Sequence, residues 1–406
     1  MSTTEPAKPT PKKRPRINVR KPEIMREVEA QVQQHYASSL LEKIKANNHQ
    51  ITLGNNTFHL AKSQGFCYGV ERAIDLAYAT REAFPKANLY LIGEIIHNPI
   101  VNQQLSDMGI VTLPWKELST DYDKLGDKDI VIVPAFGAPT HFMDKLAEQG
   151  CHIIDTTCGD VMKVWRRIKS FTKDNITTII HGKYNHEETQ ATISRARGEN
   201  NDQHFVTILD EQDADILCGY ITGEVDEQTL MQRFEGRTSE HFEPARDLVR
   251  VGMANQTTML KEQTQAFQKQ IGDAVIKRDG NGDNYHLFDT ICGATQDRQN
   301  ALYDILKLDL DLFFVVGGYN SSNTTHLVEI SEQQLPTYFI REASCLENLE
   351  SIWHYDLEQK QEIQSQLKLP QGFNTDSHLN IGITAGASCP ASLIEATILK
   401  IVELRQ

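Results

Sequence analysis

The chain has 406 residues, 39% of them hydrophobic, and a formal net charge of −14. No apolar run approaches the roughly 20 residues that cross a bilayer and no hydrophobic leader opens the chain, so a soluble, cytoplasmic protein of roughly two to four compact units is expected. The acidic balance excludes a general nucleic-acid binder, and seven cysteines without a CxxC pair exclude a disulfide framework or a zinc ribbon, leaving reduced thiols.

Residues 1–21 run against the average, with seven Lys or Arg against one Glu, several prolines and almost no large apolar side chains. This composition predicts a basic, disordered tail. From 22 to 57 a helical extension is expected, because Ile24, Met25, Val28, Val32 and Tyr36 recur at helical spacing between Pro22 and about Ala46. From residue 58 onward short apolar strands alternate with helical stretches, the pattern of parallel α/β units with right-handed crossovers.

Those units repeat. "FHLAKSQGFCYGVERAI", "DTTCGDVMKVW" and "DTICGATQDRQ" each place a cysteine between a strand-like run and a helical pattern, at Cys67, Cys158 and Cys292. A buried-looking strand and polar loop follow each: "LYLIGEIIHNP", "TTIIHGKYNHEET" and "LFFVVGGYNSSNTTHL". The intervals agree, 30 positions from Cys67 to His97, 28 from Cys158 to His186 and 28 from Cys292 to Asn320. A further strand comes next ("MGIVTL", "HFVTIL", "PTYFI"), and each unit closes with "DIVIVPAFGAP", "LVRVGMANQTTM" or "HLNIGITAGASCP". We therefore expect three similar α/β domains, at 58–150, 151–285 and 286–406, arranged with pseudo-threefold symmetry. Loops beyond the carboxyl ends of parallel strands form sites, so the three cysteines should meet at the centre.

Repetition at equivalent places points to a metal site at Cys67, Cys158 and Cys292, whereas Cys151, Cys218, Cys345 and Cys389 read as buried structural thiols. Three thiolates suit zinc with an open position or an iron-sulfur cluster with one iron lacking a protein ligand, and spacing does not choose between them. A zinc hydrolase and a non-catalytic cluster sensor are therefore open alongside a redox enzyme. The neighbouring loops offer His97 and Asn98, His186 to Thr189, Gln256 to Thr258, Ser321 to Asn323, and Ser388. These are hydrogen-bonding groups at strand-to-helix junctions, which can cradle an anion. Glu188 is the candidate proton donor, with adjacent Glu187 leaving open which of the two faces inward.

The ordered set "GFCYGVERAI", "GEIIHNP", "DTTCGDVMKVW", "HGKYNHEET", "NQTT", "DTICGATQDRQ", "NSSN" and "GITAGAS" resembles the 4-hydroxy-3-methylbut-2-enyl diphosphate reductase family over roughly residues 58 to 400. The resemblance implies a central iron-sulfur site, a [4Fe-4S] cluster held by Cys67, Cys158 and Cys292, or [3Fe-4S] after loss of the open iron. It implies reductive removal of an allylic hydroxyl, giving isopentenyl and dimethylallyl diphosphates. By motif match His97, His186, Ser321, Ser322, Asn323 and Ser388 would bind the diphosphate, Glu188 would relay protons, and Thr257 would order the substrate site. No GxGxxG follows a strand, which fits an external donor such as ferredoxin or flavodoxin. Many members carry a histidine where "PAFGAP" has Phe136. That difference, a longer loop in the second domain and the N-terminal extension resemble the longer form of cyanobacteria and plastids, which adds the stroma as a possible location.

Overall fold

The computed structural model describes residues 17–115, 120–197, 203–288, 290–374 and 376–406. Its frame is three parallel sheets. In spatial order the first holds His152–Asp155, Ile130–Val133, Leu89–Ile92 and Ile110–Leu113. The second holds Tyr285–Leu287, Val251–Asn255, Thr177–His181 and Phe205–Ile208. The third holds Asn56–Leu60, Leu379–Ala385, Leu312–Val316 and Thr337–Ile340, with Gln50–Leu53 added antiparallel at its edge. One order serves the four shared strands of all three: the strand before a cysteine, the closing strand, the first strand and the second strand, with every pairing among these four parallel. The repeat read from the sequence is thus a repeat of topology.

The expected boundaries at 58, 151 and 286 start each unit with the strand before its cysteine, and hydrogen bonding places that strand at the edge of a neighbouring unit's sheet. His152–Asp155 pairs with Ile130–Val133, and Tyr285–Leu287 pairs with Val251–Asn255. Asn56–Leu60 completes the cycle on Leu379–Ala385. The physical reason is the open edge of each closing strand, whose unpaired backbone groups are satisfied by the next extended segment. Each cysteine therefore sits on a seam between one unit's sheet and the next unit's helix.

The inner strands Ile130–Val133, Thr177–His181 and Leu312–Val316 are buried along their whole length, as parallel strands with helices on both faces require. Among the described residues no helix is long and apolar enough to cross a membrane.

The N-terminal extension is not helical throughout. Helices Pro22–Tyr36 and Ser39–Ala46 are separated at Ala37 and Ser38, and the Ser38 hydroxyl accepts the Leu41 N–H at 2.9 Å as a cap. Gln50–Leu53 then forms an antiparallel hairpin with Asn56–Leu60. The first helix packs on Tyr68–Ala83 through buried Val28 and a Tyr78–Tyr36 hydroxyl hydrogen bond of 3.0 Å. Most of the basic tail lies outside the described residues, but Val19 is buried in the first core rather than loose. A second feature without a sequence expectation is the hairpin Ile352–Asp356 with Gln361–Ser365, inserted before the closing strand of the third sheet.

Candidate active site at the junction of the three units

Each of the three repeated cysteines caps the N-terminus of a helix: Cys67 before Tyr68–Ala83, Cys158 before Gly159–Lys173 and Cys292 before Gly293–Ile305. Their backbone N–H groups donate to the carbonyls of Ala387, Ala135 and Thr257 at 3.2, 2.7 and 3.3 Å. These acceptors lie in the three closing loops, so one hydrogen bond, repeated three times, sets each cysteine on its seam. Helix N-termini carry positive partial charge and favour thiolates.

The sulfurs approach closely. A Cβ added to Gly69 would lie 2.5 Å from the Cys158 Sγ and 3.9 Å from the Cys67 Sγ, so only glycine leaves room there. Burial pushes the Cys158 thiol up and the Cys292 thiol up to about 11. Uncompensated thiolates are thus disfavoured, and a cation joining them would repay their desolvation. Partial compensation is built in: the Thr295 N–H donates to the Cys292 Sγ at 3.3 Å, and Arg298 places a buried guanidinium near Cys67 and Cys292. Arg298 is fixed by donating to the carbonyls of Gly65 and Ala294. Cys151 and Cys218 are each buried in an apolar cluster of their own, and Cys345 and Cys389 share a third.

The three cysteines open on a cavity that is also lined by Glu188, His97, His186, Thr257, Ser321, Ser322, Asn323 and Ser388. The three cysteines, Glu188 and the substrate contacts implied by the resemblance are therefore in one place, whereas Asn98, Glu187, Thr189 and Gln256 from the same loops do not line it. Among its described lining residues there is no Lys or Arg. An anion there would meet neutral donors and helix N-termini instead of opposite charge.

Glu188 faces inward, and Glu187 turns toward His97. The Glu188 carboxylate accepts the Thr257 N–H at 2.6 Å and the Thr257 hydroxyl at 3.0 Å. Burial raises this carboxyl to about 7, against the lowering effect of both Thr257 bonds and of His97. Glu187 Oε2 lies 3.7 Å from His97 Nε2.

His186 caps the helix Glu187–Ala196 by accepting the Glu188 N–H on Nδ1 at 3.1 Å, which leaves the proton of the neutral ring on Nε2. Burial holds His186 neutral, well below its usual value, and its Nε2 has no protein partner. His97 Nδ1 lies 3.0 Å from Glu94 Oε2, an oxygen that also accepts the Asn320 amide at 2.8 Å. The two histidine rings meet edge to face at 5.0 Å.

Phe136 stacks flat on His97, with centroids 4.7 Å apart and planes 9° apart. It fixes the plane of that ring and offers no polar contact of its own. The next residue, Gly137, has φ +83 and abuts the Trp165 ring, which carries the Arg195 guanidinium 3.3 Å above it. Arg195 donates to the Ala138 carbonyl at 2.9 Å, tying the Phe136 loop to the helix that bears Glu188.

The hydroxyl side is knitted across units. Ser388 Oγ donates to the His97 carbonyl at 3.1 Å and Gln256 Nε2 donates to Ser322 Oγ at 3.1 Å, while within the third unit Asn323 Oδ1 accepts the Ala387 N–H at 2.9 Å. Ser321 caps the helix Ser322–Ser331. Sequence reasoning missed the supporting residues Glu94, Arg298 and Tyr319. The ring of Tyr319 stacks on Tyr355 of the inserted hairpin at 4.8 Å, and its hydroxyl donates to Glu362 at 2.8 Å.

The class defined by this fold and site is a three-lobed α/β protein with a three-cysteine chamber where its lobes meet. The family model described as LytB protein matches residues 58–402, and the chain belongs to that family. It is 42% identical over 387 residues to the 4-hydroxy-3-methylbut-2-enyl diphosphate reductase of Gloeobacter violaceus, covering 93% of this chain and 90% of the relative. The enzyme of the same name from a Picosynechococcus species is 42% identical over 379 residues, covering 92% and 91%. A solved structure described as (E)-4-hydroxy-3-methyl-but-2-enyl diphosphate reductase, the terminal enzyme of the non-mevalonate pathway, is 25% identical. It aligns with a TM-score of 0.52 over 86% of this chain and 99% of that one.

Proposed function

We propose that this chain reduces (E)-4-hydroxy-3-methylbut-2-enyl diphosphate to isopentenyl and dimethylallyl diphosphates, the last step of the non-mevalonate isoprenoid pathway. Substrate, two electrons and two protons become product and water. The observation that carries this reading is the sharing of one cavity by Cys67, Cys158, Cys292 and the buried Glu188. The names borne by its relatives support the same substrate.

The residues fit a cluster better than a single ion. Tetrahedral zinc with sulfur ligands at about 2.3 Å needs sulfurs roughly 3.8 Å apart. Among the described residues the trio of metal-binding atoms drawn within 4.8 Å of one another is that of His97, His186 and Glu187, not the three sulfurs. Cys67, Cys158 and Cys292 would hold a [4Fe-4S] cluster by three corners, with [3Fe-4S] as the form left when the open iron is lost. When bound, such a cluster supplies electrons and a Lewis-acidic open iron. The electrons come from an external carrier such as ferredoxin or flavodoxin, and the cytoplasm or plastid stroma is the matching compartment.

The chain's own groups then have distinct tasks. His186 Nε2–H, the hydroxyls of Ser321, Ser322 and Ser388, and the Asn323 amide donate to phosphate oxygens at helix N-termini, with His97 beside them. Glu188, kept protonated by burial, gives the proton that lets the hydroxyl leave as water. Thr257 holds that carboxyl in place.

Anaerobic protein is expected to be brown, with iron and sulfide near stoichiometry, and to form the two five-carbon diphosphates with a strong chemical reductant. Colourless zinc protein, or cluster-replete protein without turnover, would overturn the reading.

Two further results follow from the geometry. With Glu188 at about 7, proton delivery declines as pH rises through 7. Thr257→Val removes a hydroxyl that favours the charged carboxylate, so the falling limb of the kcat profile should move up by roughly half to one pH unit. An unmoved or lowered limb would refute the role of Thr257. Tyr319→Phe keeps the ring stack but loses the bond to Glu362, which loosens the loop carrying Asn320 to Asn323. Losing one such bond should raise KM for the diphosphate roughly 3- to 10-fold with kcat nearly unchanged, as read from anaerobic steady-state kinetics.

A further inference from the structure

One face beside the cysteines is cationic although the chain carries −14. The helix Gly159–Lys173, capped by Cys158, exposes Lys163, Arg166, Arg167, Lys169 and Lys173. Lys163 meets Asp160 at 2.6 Å, and Arg167 lies 4.4 Å over the Phe288 ring. Among the described residues no ion pair engages Arg166, Lys169 or Lys173. A polar groove separates Lys163, Arg166 and Arg167 from the segment Thr290, Ile291 and Gly293 that flanks Cys292. Asp160 borders both this groove and the central cavity. The groove therefore adjoins two of the three cysteine positions, with a single residue common to its wall and that of the chamber.

We propose that this groove is the docking face for a small acidic electron-carrier protein. The inference rests on the reductase reading. Carboxylates of the carrier pair with Lys163, Arg166 and Arg167, and Phe288 adds an apolar contact. The carrier is oxidised by one electron per visit, so two visits supply the two electrons of one turnover. Charges of one sign flanking a site speed the encounter with an oppositely charged partner and make it salt-dependent.

The test uses anaerobic, cluster-loaded full-length protein and a plant-type [2Fe-2S] ferredoxin as probe, with binding measured by calorimetry at low and high salt. K163E/R166E should raise Kd at least ~10-fold and flatten its salt dependence. The same charge change on another helix, K269E/K277E, should leave Kd within about 2-fold, since those cations lie elsewhere. Turnover of K163E/R166E with dithionite and methyl viologen should stay near wild type while ferredoxin-driven turnover falls.

Ferredoxin binding unaffected by K163E/R166E, equal loss in K269E/K277E, or no binding by wild type would overturn the proposal. So would a single-stranded oligonucleotide that binds as tightly as ferredoxin and loses affinity with the same variant. If K163E/R166E fails to fold, K163Q/R166Q is read in its place, with a ~3-fold rise in Kd supporting the face and no rise refuting it. Wild type that binds ferredoxin yet converts no substrate with the chemical reductant would sink the reductase reading while leaving the docking result standing.

Discussion

Glu188→Gln is expected to lower turnover by roughly 10²- to 10⁴-fold, the range for losing a positioned general acid, while iron and sulfide stay at the wild-type level. The amide has the carboxylate's shape. Its oxygen can still accept the Thr257 N–H, now 2.6 Å from Glu188 Oε1, so the fold around it should hold. It has no proton to give at any pH near neutrality, and the falling limb near 7 should disappear with the carboxyl. Anaerobic kinetics beside iron analysis separate the outcomes. Loss of iron with the substitution would make Glu188 a structural group.

Gly69→Ala should abolish stable binding of iron and sulfide although all three cysteines remain. The added methyl would stand 2.5 Å from the Cys158 Sγ. Without a cluster that sulfur can rotate away, and alanine suits a helix better than glycine by roughly 0.5–1 kcal/mol, so the metal-free protein should melt close to wild type or slightly higher. With a cluster the sulfur is fixed and the clash is unavoidable. The measurements are iron and sulfide per chain after anaerobic reconstitution, beside a melting curve of the metal-free form. Full iron content would show that the sulfurs are held farther from Gly69 than the structure places them.

Much of this site was readable because it lies where local signals are strong. Strands such as "IVIV" and "LFFVV" are short, wholly apolar and bounded by Asp, Pro or Gly, and they form Ile130–Val133 and Leu312–Val316 as read. Equal spacing then carried Cys67, Cys158 and Cys292 to equivalent helix caps. What local signals could not convey was partnership. Nothing in "HIID" says that it pairs with the strand behind it in sequence order instead of opening a new sheet, because both choices bury the same side chains. The choice between Glu187 and Glu188 was likewise a matter of helix phase, decided by Thr257 from another loop. Glu94 and Asn320 lie 226 positions apart and meet only across units, beyond the reach of any local pattern. Tyr319 looked like part of a turn, and its role arises from the hairpin that stacks on it.

The cyclic exchange of strands also orders events in time. Asn56–Leu60 emerges early from the ribosome, yet its parallel partner Leu379–Ala385 is made almost last. The carbonyl that receives the Cys67 N–H, on Ala387, is also made near the end of synthesis. The first lobe can fold as soon as His152–Asp155 is available, and the second once Tyr285–Leu287 follows. The third sheet must wait for the chain's own beginning to return to it. Closure of the three seams is thereby coupled to completion of translation: Cys158 and Cys292 can find the carbonyls of Ala135 and Thr257 while Cys67 still lacks that of Ala387, until the whole protein has been made.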